Sequence, residues 1–279
     1  MIEHISDTAR WVAVYRALES ERPDALFNDP FAALLAGEAG RGMAEAMPGG
    51  TPFVGWAVVV RTKLIDDVIL RLVREERLDG VVNLAAGLDT RPYRLDLPAD
   101  FRWIEVDLPG ITDYKEAKLA GQTPVCRLER LRLDLARDDE RERLLKRLGG
   151  ELRRALVLTE GILMYLTVDQ VEGLAADLLA QPGLAFWMQD YVDERLLKVL
   201  NVVWRRVLGR ADSQFRFFSE EGLRFFSNRG WKTREYLPLV EHAGRLKRDL
   251  PLGPLVRAAE KISPLGLARK SSGILLLQK

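Results

Sequence analysis

The spacing of apolar residues changes near residue 80, and the chain before that point has helical periodicity. There, apolar residues recur every three or four positions, which is typical of amphipathic helices. One helix is predicted to begin at Ser6 or Asp7, and a second after a cap at Asp29 with Pro30 in its first turn. A Gly- and Pro-rich break at 48–52 precedes the clearest helix. Its apolar stripe comprises Leu64, Ile65, Val68, Ile69, Leu72 and Val73, and Lys63, Asp66, Asp67, Arg71 and Arg74 are predicted outside the stripe.

After residue 80, short β-branched and apolar runs alternate with helical stretches. This alternation predicts a parallel sheet covered by helices on both faces. The predicted strands are Val81–Ala85, Arg102–Val106, Val125–Leu133, Ala155–Thr159 and Leu184–Tyr191. The predicted helices between them lie near 110–120, 138–149 and 169–180, and the last begins with a capping box from Thr167 to Gln170.

The last ninety residues are less regular. We predict helices at Arg195–Leu208 and Glu220–Asn228, strands at Trp231–Tyr236 and Ser272–Leu277, and proline-punctuated helices between the two strands. Ten of the twenty-two aromatic residues lie between Phe186 and Trp231, so this segment is either a substrate lid or core packing. An apolar wall would suit a hydrophobic small molecule.

Composition and charge limit the possible partners. The chain has 279 residues, with 42 Lys and Arg against 41 Asp and Glu, so no global charge favours nucleic acid or an anionic membrane. The longest apolar run, 54–60, is too short to cross a bilayer, and the acidic N-terminus lacks the pattern of a signal peptide. We expect a cytoplasmic protein that binds neither nucleic acid nor membrane.

The scarcity of cysteine and histidine excludes several kinds of site. The single cysteine, Cys126, cannot form an intramolecular disulfide or a multi-Cys metal cluster, and its apolar flanks predict a buried thiol rather than a nucleophile. The two histidines, His4 and His242, stand in neither a catalytic-triad nor an HExxH pattern. We therefore expect no metal site.

The first predicted strand ends in a turn of small residues, Ala85-Ala86-Gly87. Small residues at a strand end let a ligand approach the backbone closely. The dinucleotide pattern G-x-G-x-x-G would place glycines at 85 and 90, where Ala85 and Thr90 stand. Pro92 limits the helix that follows, which disfavours a pyrophosphate at a helix N-terminus. The turn is either a ligand-binding turn or an ordinary left-handed one.

Acidic residues end the second and third predicted strands. Asp107 stands 20 residues after Gly87, where nucleotide-binding sheets place a carboxylate that binds ribose hydroxyls. Asp134 could accept from an adenine amino group while the backbone N–H of Leu135 reaches a ring nitrogen. Each aspartate could instead cap the following helix. Because the carboxyl ends of parallel strands meet at one edge of a sheet, the three features together favour a nucleoside site.

Two further charged residues lie in apolar surroundings. Glu160 follows the fourth predicted strand and precedes an apolar turn, so it should meet a cation, a ligand or a backbone donor. Arg61 continues the buried stripe of the helix before Leu64 and needs a carboxylate partner. An ion pair between Arg61 and Glu160 is the purely structural alternative.

The motifs at these strand ends resemble the leucine carboxyl methyltransferase family, and more closely its bacterial branch of S-adenosylmethionine-dependent O-methyltransferases, which includes enzymes acting on polyketide-like acids. The resemblance covers residues 5 to about 190 in order. It is carried by Asp7-Thr8-Ala9-Arg10-Trp11, Asn28-Asp29-Pro30-Phe31, the run from Asn83 to Arg91, Glu105-Val106-Asp107-Leu108-Pro109, Asp134-Leu135 and the run from Glu160 to Leu166.

The resemblance implies an α/β fold of the Rossmann-like class I methyltransferase type, with seven strands, the last one antiparallel, and a helical N-terminal cap. It implies a single methyltransferase domain over 1–279, divided into the cap at 1–78, a cofactor-binding sheet core at 79–192, and lid or substrate helices with closing strands at 193–279. The implied cofactor is S-adenosyl-L-methionine.

The resemblance also implies a role for each site residue. Gly87 would lie beside the methionine part of the cofactor, Asp107 at the ribose, and Asp134 and Leu135 at the adenine. Ala85 and Leu108 would also bind the cofactor. Arg61, with Arg10 as a second cation, would hold the methionine carboxylate, and Glu160 would lie near the amino group.

Methyl transfer to a carboxylate needs no general base, because a carboxylate is ionised at pH 7. It needs a donor that positions one oxygen while the other attacks, and the candidates are Tyr165 and Arg91. In the structural alternatives, Tyr165 is an aromatic residue at the rim of the core and Arg91 forms a surface ion pair. A phenolic acceptor would require a base, for which a carboxylate side chain could serve.

Two other functions share this type of sheet. A nicotinamide-dependent oxidoreductase is disfavoured by Ala85 and Thr90, where its glycine pattern fails. A non-catalytic homologue would bind the cofactor without transferring methyl. The methyl acceptor is predicted to be a small molecule, and its identity and the oligomeric state are not predicted.

Overall fold

The computed structural model describes residues 7–46, 50–208, 215–249, 253 and 271–279. Three helices precede the first strand: α1 (Asp7–Ser20), α2 (Ala32–Ala46), which is kinked at Gly37, and α3 (Gly50–Glu75). The later helices are α4 (Arg91–Arg94), α5 (Pro109–Lys118), α6 (Asp138–Glu151), α7 (Val168–Leu179), α8 (Glu194–Leu208), α9 (Arg224–Ser227) and α10 (Leu239–Arg245), with a 3₁₀ turn at Leu163–Tyr165.

The strands form one seven-stranded sheet in the order β3-β2-β1-β4-β5-β7-β6, with six parallel strands and the last antiparallel. Because β1 lies between β2 and β4, the chain order reverses there, which is the topological switch point of this sheet. The strands are β1 (Gly80–Leu84), β2 (Arg102–Asp107), β3 (Arg127–Arg132), β4 (Ala155–Thr159), β5 (Leu184–Val192), β6 (Lys232–Pro238) and β7 (Ser272–Gln278).

The predicted alternation of strands and helices is confirmed through β5, with small shifts at the ends. Every residue of β1 and β4 is buried, which explains their unbroken apolar runs. The capping box before α7 is present: the Thr167 hydroxyl accepts from the Gln170 N–H, and the Gln170 side chain accepts from the Thr167 N–H.

Several predicted boundaries are wrong. Residues 50–52, predicted in the break, already belong to α3, which accepts Pro52 in its first turn, and the rest of the predicted break lies outside the described residues. The predicted helix Glu220–Asn228 is reduced to the single turn α9, after turns at 220–223. Ser6 and most of the proline-punctuated segment lie outside the described residues.

The aromatic-rich segment contributes to the core. The ring of Trp187 in β5 packs edge-on against Phe226 and Trp231, at centroid distances of 5.3 and 5.4 Å. Its indole N–H donates to the Thr159 hydroxyl at 2.8 Å. All three aromatic rings are buried, so core packing is the correct interpretation for this part of the segment.

The chain forms two compact units. One comprises residues 1–65, 191–215 and 237–274, and the other comprises residues 66–190, 216–236 and 275–279. In the first unit, α1 packs on α2, and the buried Arg16 Nε donates to Asp29 at 2.8 Å. Asp29 also accepts from the Phe31 N–H at 3.2 Å, which forms a turn before α2. Pro30 and Phe31 belong to this turn, so α2 begins later than the predicted cap at Asp29 implies. The second unit contains the carboxyl ends of β1 to β4, where most of the predicted site residues lie.

Candidate functional site

The turn after β1 has an unusual backbone. Ala85 and Gly87 both adopt left-handed conformations, with φ of 56° and 49°. Glycine tolerates this region freely, whereas an alanine there is strained, and such strain is concentrated at functional sites. The turn continues into α4, which is four residues long and has Pro92 in its first turn, as predicted. The turn therefore presents backbone atoms and no bulky side chain at the strand end.

Asp107 joins this turn to the end of β2. One carboxylate oxygen accepts from the Gly87 N–H at 2.6 Å, and the other accepts from the Leu108 N–H at 2.7 Å. Burial raises the pKa of Asp107, while the two backbone donors lower it in part. Leu108, not Asp107, precedes the first turn of α5, so the interpretation of Asp107 as a cap is wrong. Each oxygen can accept a further bond, which a ribose hydroxyl could supply.

Asp134 follows β3 and is exposed. Its carboxylate accepts from the Ala136 N–H at 2.9 Å, which forms a local turn, and α6 begins later, after Arg137. The capping interpretation of Asp134 is therefore wrong for α6. The adjacent Leu135 carbonyl accepts from the buried Arg141 side chain at 3.1 Å, so this loop is held from the helix that follows it.

A small pocket lies at the switch point between β1 and β4. Its walls come from the last residues of these strands, from the loop after β3 with α6, and from the segment after β4 with α7. Most of its lining is apolar, and the closed space is about the size of one water molecule. The lining residues are Leu84, Leu135, Ala136, Arg141, Thr159, Ile162, Leu166, Gln170 and Leu174.

Arg91 lies at the centre of a buried charged network. Its Nε donates to Asp66 at 2.7 Å, and its Nη1 donates to Asp89 at 2.9 Å and to Glu160 at 2.8 Å. Arg94 donates two further bonds to Asp66, at 2.6 and 3.0 Å. Because Arg91 is 2% exposed, its interpretation as a surface ion pair is wrong.

Glu160 has the cation that its apolar surroundings require, and that cation is Arg91. The neighbouring Gly161, with φ of 71°, donates its N–H to Asp190 at 2.8 Å, which fixes the backbone after β4. Tyr165 ends the 3₁₀ turn that follows and is half-buried. Glu160 and Tyr165 are thus on one short, hydrogen-bonded segment at the end of β4.

The two predicted carboxylate-binding cations belong to the other compact unit. Arg10 lies in α1 and Arg61 in α3, and both are half-buried. Their predicted roles stay predictions. Cys126 is buried immediately before β3, and burial raises the pKa of its thiol to about 11, which agrees with the predicted unreactive thiol.

Several residues of this network were not predicted from the sequence. Asp66 was expected on the exposed side of its helix but is 4% exposed, because it meets Arg91 and Arg94. Asp89 is fixed by Arg91 and by the Asn83 side-chain amide, which donates to it at 2.8 Å. The available signal was the pair of arginines in the turn after β1, since buried guanidiniums need carboxylates.

Asp89 predicts a specific loss of stability in acid. Burial alone would raise its pKa, but the positive charges of Arg91, Lys115 and Arg94 lower it from 3.8 to about 2. A carboxylate with a lowered pKa stabilises the folded state above pH 3.8, and this contribution is lost as the pH falls towards 2. The expected loss is about 2 kcal/mol.

Urea unfolding, followed by circular dichroism between pH 4 and pH 2, measures this loss. Asp89→Asn should be less stable than the wild type at pH 7 but should lose less free energy of unfolding across the acid range. Equal losses for the wild type and Asp89→Asn would show that Asp89 does not carry the acid dependence.

The part of the chain that the structure describes contains neither a membrane-spanning helix nor a metal-binding cluster. No helix of this part of the chain is both long and apolar enough to cross a membrane. Among the same residues, no group of three or more His, Cys, Asp or Glu side chains is arranged to hold a metal ion.

The sequence matches proteins of one family. The family model described as leucine carboxyl methyltransferase matches residues 9–178. A protein of Frankia alni is 33% identical over 265 residues, covering 89% of this chain and 90% of that protein. One of a Parafrankia strain is 31% identical over 269 residues, covering 88% and 83%. Both proteins carry the name S-adenosyl-L-methionine-dependent methyltransferase, an activity that was assigned to them by inference.

Two solved structures share the fold. The crystal structure of a DUF574 family protein from Streptomyces avermitilis has a TM-score of 0.60 and 13% identity, covering 98% of this chain and 97% of that one. A protein from Thermobifida fusca, named a methyltransferase by inference, has a TM-score of 0.56 and 17% identity, covering 96% and 94%.

Proposed function

This chain belongs to the leucine carboxyl methyltransferase family and is an S-adenosyl-L-methionine-dependent methyltransferase, and we propose that it methylates an oxygen atom of a small, largely apolar metabolite. A carboxylate is the proposed acceptor, with a hydroxyl group as the alternative. The observation that carries the proposed site is the bond between Asp107 and the Gly87 N–H, which joins the carboxyl ends of β1 and β2.

The chemistry of the residues at the strand ends fits the nucleoside part of the cofactor. Asp107 has the acceptor capacity for ribose hydroxyls, with the Leu108 N–H already fixing its orientation. The adenine ring is proposed to lie against Leu135, and the small pocket there would have to open to admit it. Asp134 would accept from the adenine amino group, and its exposure leaves it accessible for that bond.

The residues around the turn and β4 fit the methionine part. The left-handed backbone at Ala85 and Gly87 leaves room for a chain that passes close to it. Glu160 is an anion that can receive the ammonium group of the amino acid. Arg61 and Arg10 are the proposed cations for its carboxylate, and their test is the loss of affinity on replacing each by alanine.

When bound, the cofactor supplies an electrophilic methyl group on a sulfonium. Methyl transfer would join the acceptor oxygen to the methyl carbon while the carbon–sulfur bond breaks, with its electron pair going to the sulfur of the departing S-adenosylhomocysteine. The protein aligns the two reactants and excludes water. Tyr165 is the proposed donor that positions the acceptor oxygen, since it follows Glu160 on the same segment.

A screen of carboxylic acids and phenols with S-adenosylmethionine labelled in its methyl group tests this proposal. Mass spectrometry should detect a methyl ester, or a methyl ether for a hydroxyl acceptor. Labelled S-, N- or C-methyl products would contradict O-methylation. Tight binding of the cofactor without transfer to any acceptor would favour a non-catalytic homologue.

With the acceptor found by that screen, Tyr165→Phe should lower kcat/KM by about fivefold to tenfold, the cost of one lost hydrogen bond. The binding of S-adenosylhomocysteine should stay unchanged, because Tyr165 is proposed to contact the acceptor. If Tyr165→Phe turned over the acceptor as fast as the wild type, the tyrosine hydroxyl would have no role in the mechanism.

A further inference from the structure

We propose that Arg91 is a positioning residue, which holds the Glu160 carboxylate in the orientation that receives the ammonium group of the cofactor's methionine part. This inference rests on the proposed function, because the role of Glu160 belongs to it. It replaces the predicted contact between Arg91 and the methyl acceptor.

The bonds of Arg91 fix its guanidinium from three sides. Asp66 comes from α3, Asp89 from the turn after β1, and Glu160 from the segment after β4. A guanidinium is planar, and its donors point in fixed directions. Three carboxylates on separate segments therefore define both the position and the plane of Arg91, and its bond to Glu160 has one geometry.

The two inner acids are themselves held in place. Asp66 accepts two bonds from Arg94. Asp89 accepts from the Asn83 side chain at 2.8 Å and from the Arg91 backbone N–H at 2.9 Å. Because the partners of the guanidinium are held in place, the guanidinium can in turn hold the Glu160 carboxylate in one orientation.

Exposure separates Glu160 from the other members of the network. The side chains of Arg91, Asp66 and Asp89 are 3%, 5% and 9% exposed, whereas that of Glu160 is 17% exposed. Glu160 is the member of this set best able to meet a ligand. Arg91 acts on the ligand through it, and holding the carboxylate in advance reduces the ordering that binding would otherwise require.

The affinities for two ligands that differ only in the amino-acid part distinguish this positioning role from a general contribution of Arg91 to stability. S-adenosylhomocysteine has the ammonium group, and 5′-methylthioadenosine lacks the whole amino-acid end. Arg91→Lys keeps the positive charge but loses the planar set of donors. We expect Arg91→Lys to lower the affinity for S-adenosylhomocysteine about tenfold and the affinity for 5′-methylthioadenosine less than about twofold. Titration calorimetry on the full chain measures both.

Two controls accompany this measurement. Arg130 is also a partly buried arginine in an ion pair, with Glu105 at 2.9 Å, but it lies on β3 and is not proposed to act on the ligand. Arg130→Lys should change the two affinities by the same factor. Glu160→Gln should reproduce the selective loss, and adding Arg91→Lys to it should cause little further change.

The outcomes separate this inference from the proposed function. A wild-type protein that binds neither ligand would remove the proposed function. If the wild type binds both and Arg91→Lys weakens both equally, or neither, Arg91 has no positioning role and the proposed function stands. If Arg91→Lys does not fold, the wild-type crystal structure with S-adenosylhomocysteine decides. A structure in which Arg91 bonds to Glu160 and Glu160 contacts the ammonium group would support the inference. A structure in which Arg91 bonds to the ligand's carboxylate would overturn it.

Discussion

Arg91→Met should lower the free energy of unfolding by about 3–5 kcal/mol. Methionine fills a similar volume but leaves Asp66, Asp89 and Glu160 without the guanidinium that bonds all three. Arg94 still pairs with Asp66, so the uncompensated charge falls mainly on the other two carboxylates. An unpaired buried carboxylate is costly because it has lost its hydration.

Urea unfolding at pH 7 measures this effect, and Arg153→Met is its matched control. Arg153 lies 3.6 Å from Asp79 with 92% of its side chain exposed, so its ion pair contributes little. Its replacement should change the free energy of unfolding by less than about 0.5 kcal/mol. An Arg91→Met protein as stable as Arg153→Met would show that the network does not stabilise the fold.

Asp107→Ala should weaken the binding of S-adenosylhomocysteine by about 1–3 kcal/mol. The change removes the proposed acceptor for the ribose hydroxyls and also the acceptor that fixes the Gly87 and Leu108 N–H groups. The turn after β1 would then have to be ordered by the ligand, which further lowers the affinity. The loss should be present with 5′-methylthioadenosine as well, since that ligand keeps the ribose.

Calorimetry with the folded fraction checked by circular dichroism tests this prediction. Asp113→Ala serves as the control, because Asp113 is an exposed carboxylate of α5 that pairs with Arg132 on the surface. It should leave both affinities unchanged. A dissociation constant for Asp107→Ala equal to that of Asp113→Ala would exclude Asp107 from the site.

The sheet could be predicted from the sequence because its information is local. Buried parallel strands such as β1 and β4 are short apolar runs, and the helices between them show their own period. The acids at the strand ends could be placed for the same reason: the carboxyl ends of parallel strands share one edge. Asp107 and Glu160 were therefore found without knowledge of their partners.

The partners themselves could not be predicted, since they depend on contacts between distant residues. Asp66 and Arg91 are 25 residues apart, and Arg91 and Glu160 are 69 apart. Helical periodicity placed Asp66 outside the apolar stripe, yet Arg91 and Arg94 of α4 bond to it and bury it. A residue's period shows which side of a helix it occupies, but not whether another segment lies over that side.

The short helix α9 shows a different limit. Its segment, predicted as Glu220–Asn228, has helical composition, but turns occupy 220–223. Phe225 and Phe226 are nevertheless fully buried, with ring centroids 5.1 Å apart. Tertiary packing of the aromatic rings thus fixed the segment, and local propensity did not decide its length.

A crystal structure of the protein with S-adenosylhomocysteine is the most direct test of the proposed site. The ribose hydroxyls should lie within hydrogen-bonding distance of the Asp107 carboxylate, and the adenine should lie against Leu135 with the pocket there opened around it. The ammonium group should contact Glu160. Electron density for the ligand at another edge of the sheet, or an adenosine that does not touch Asp107, would contradict the account.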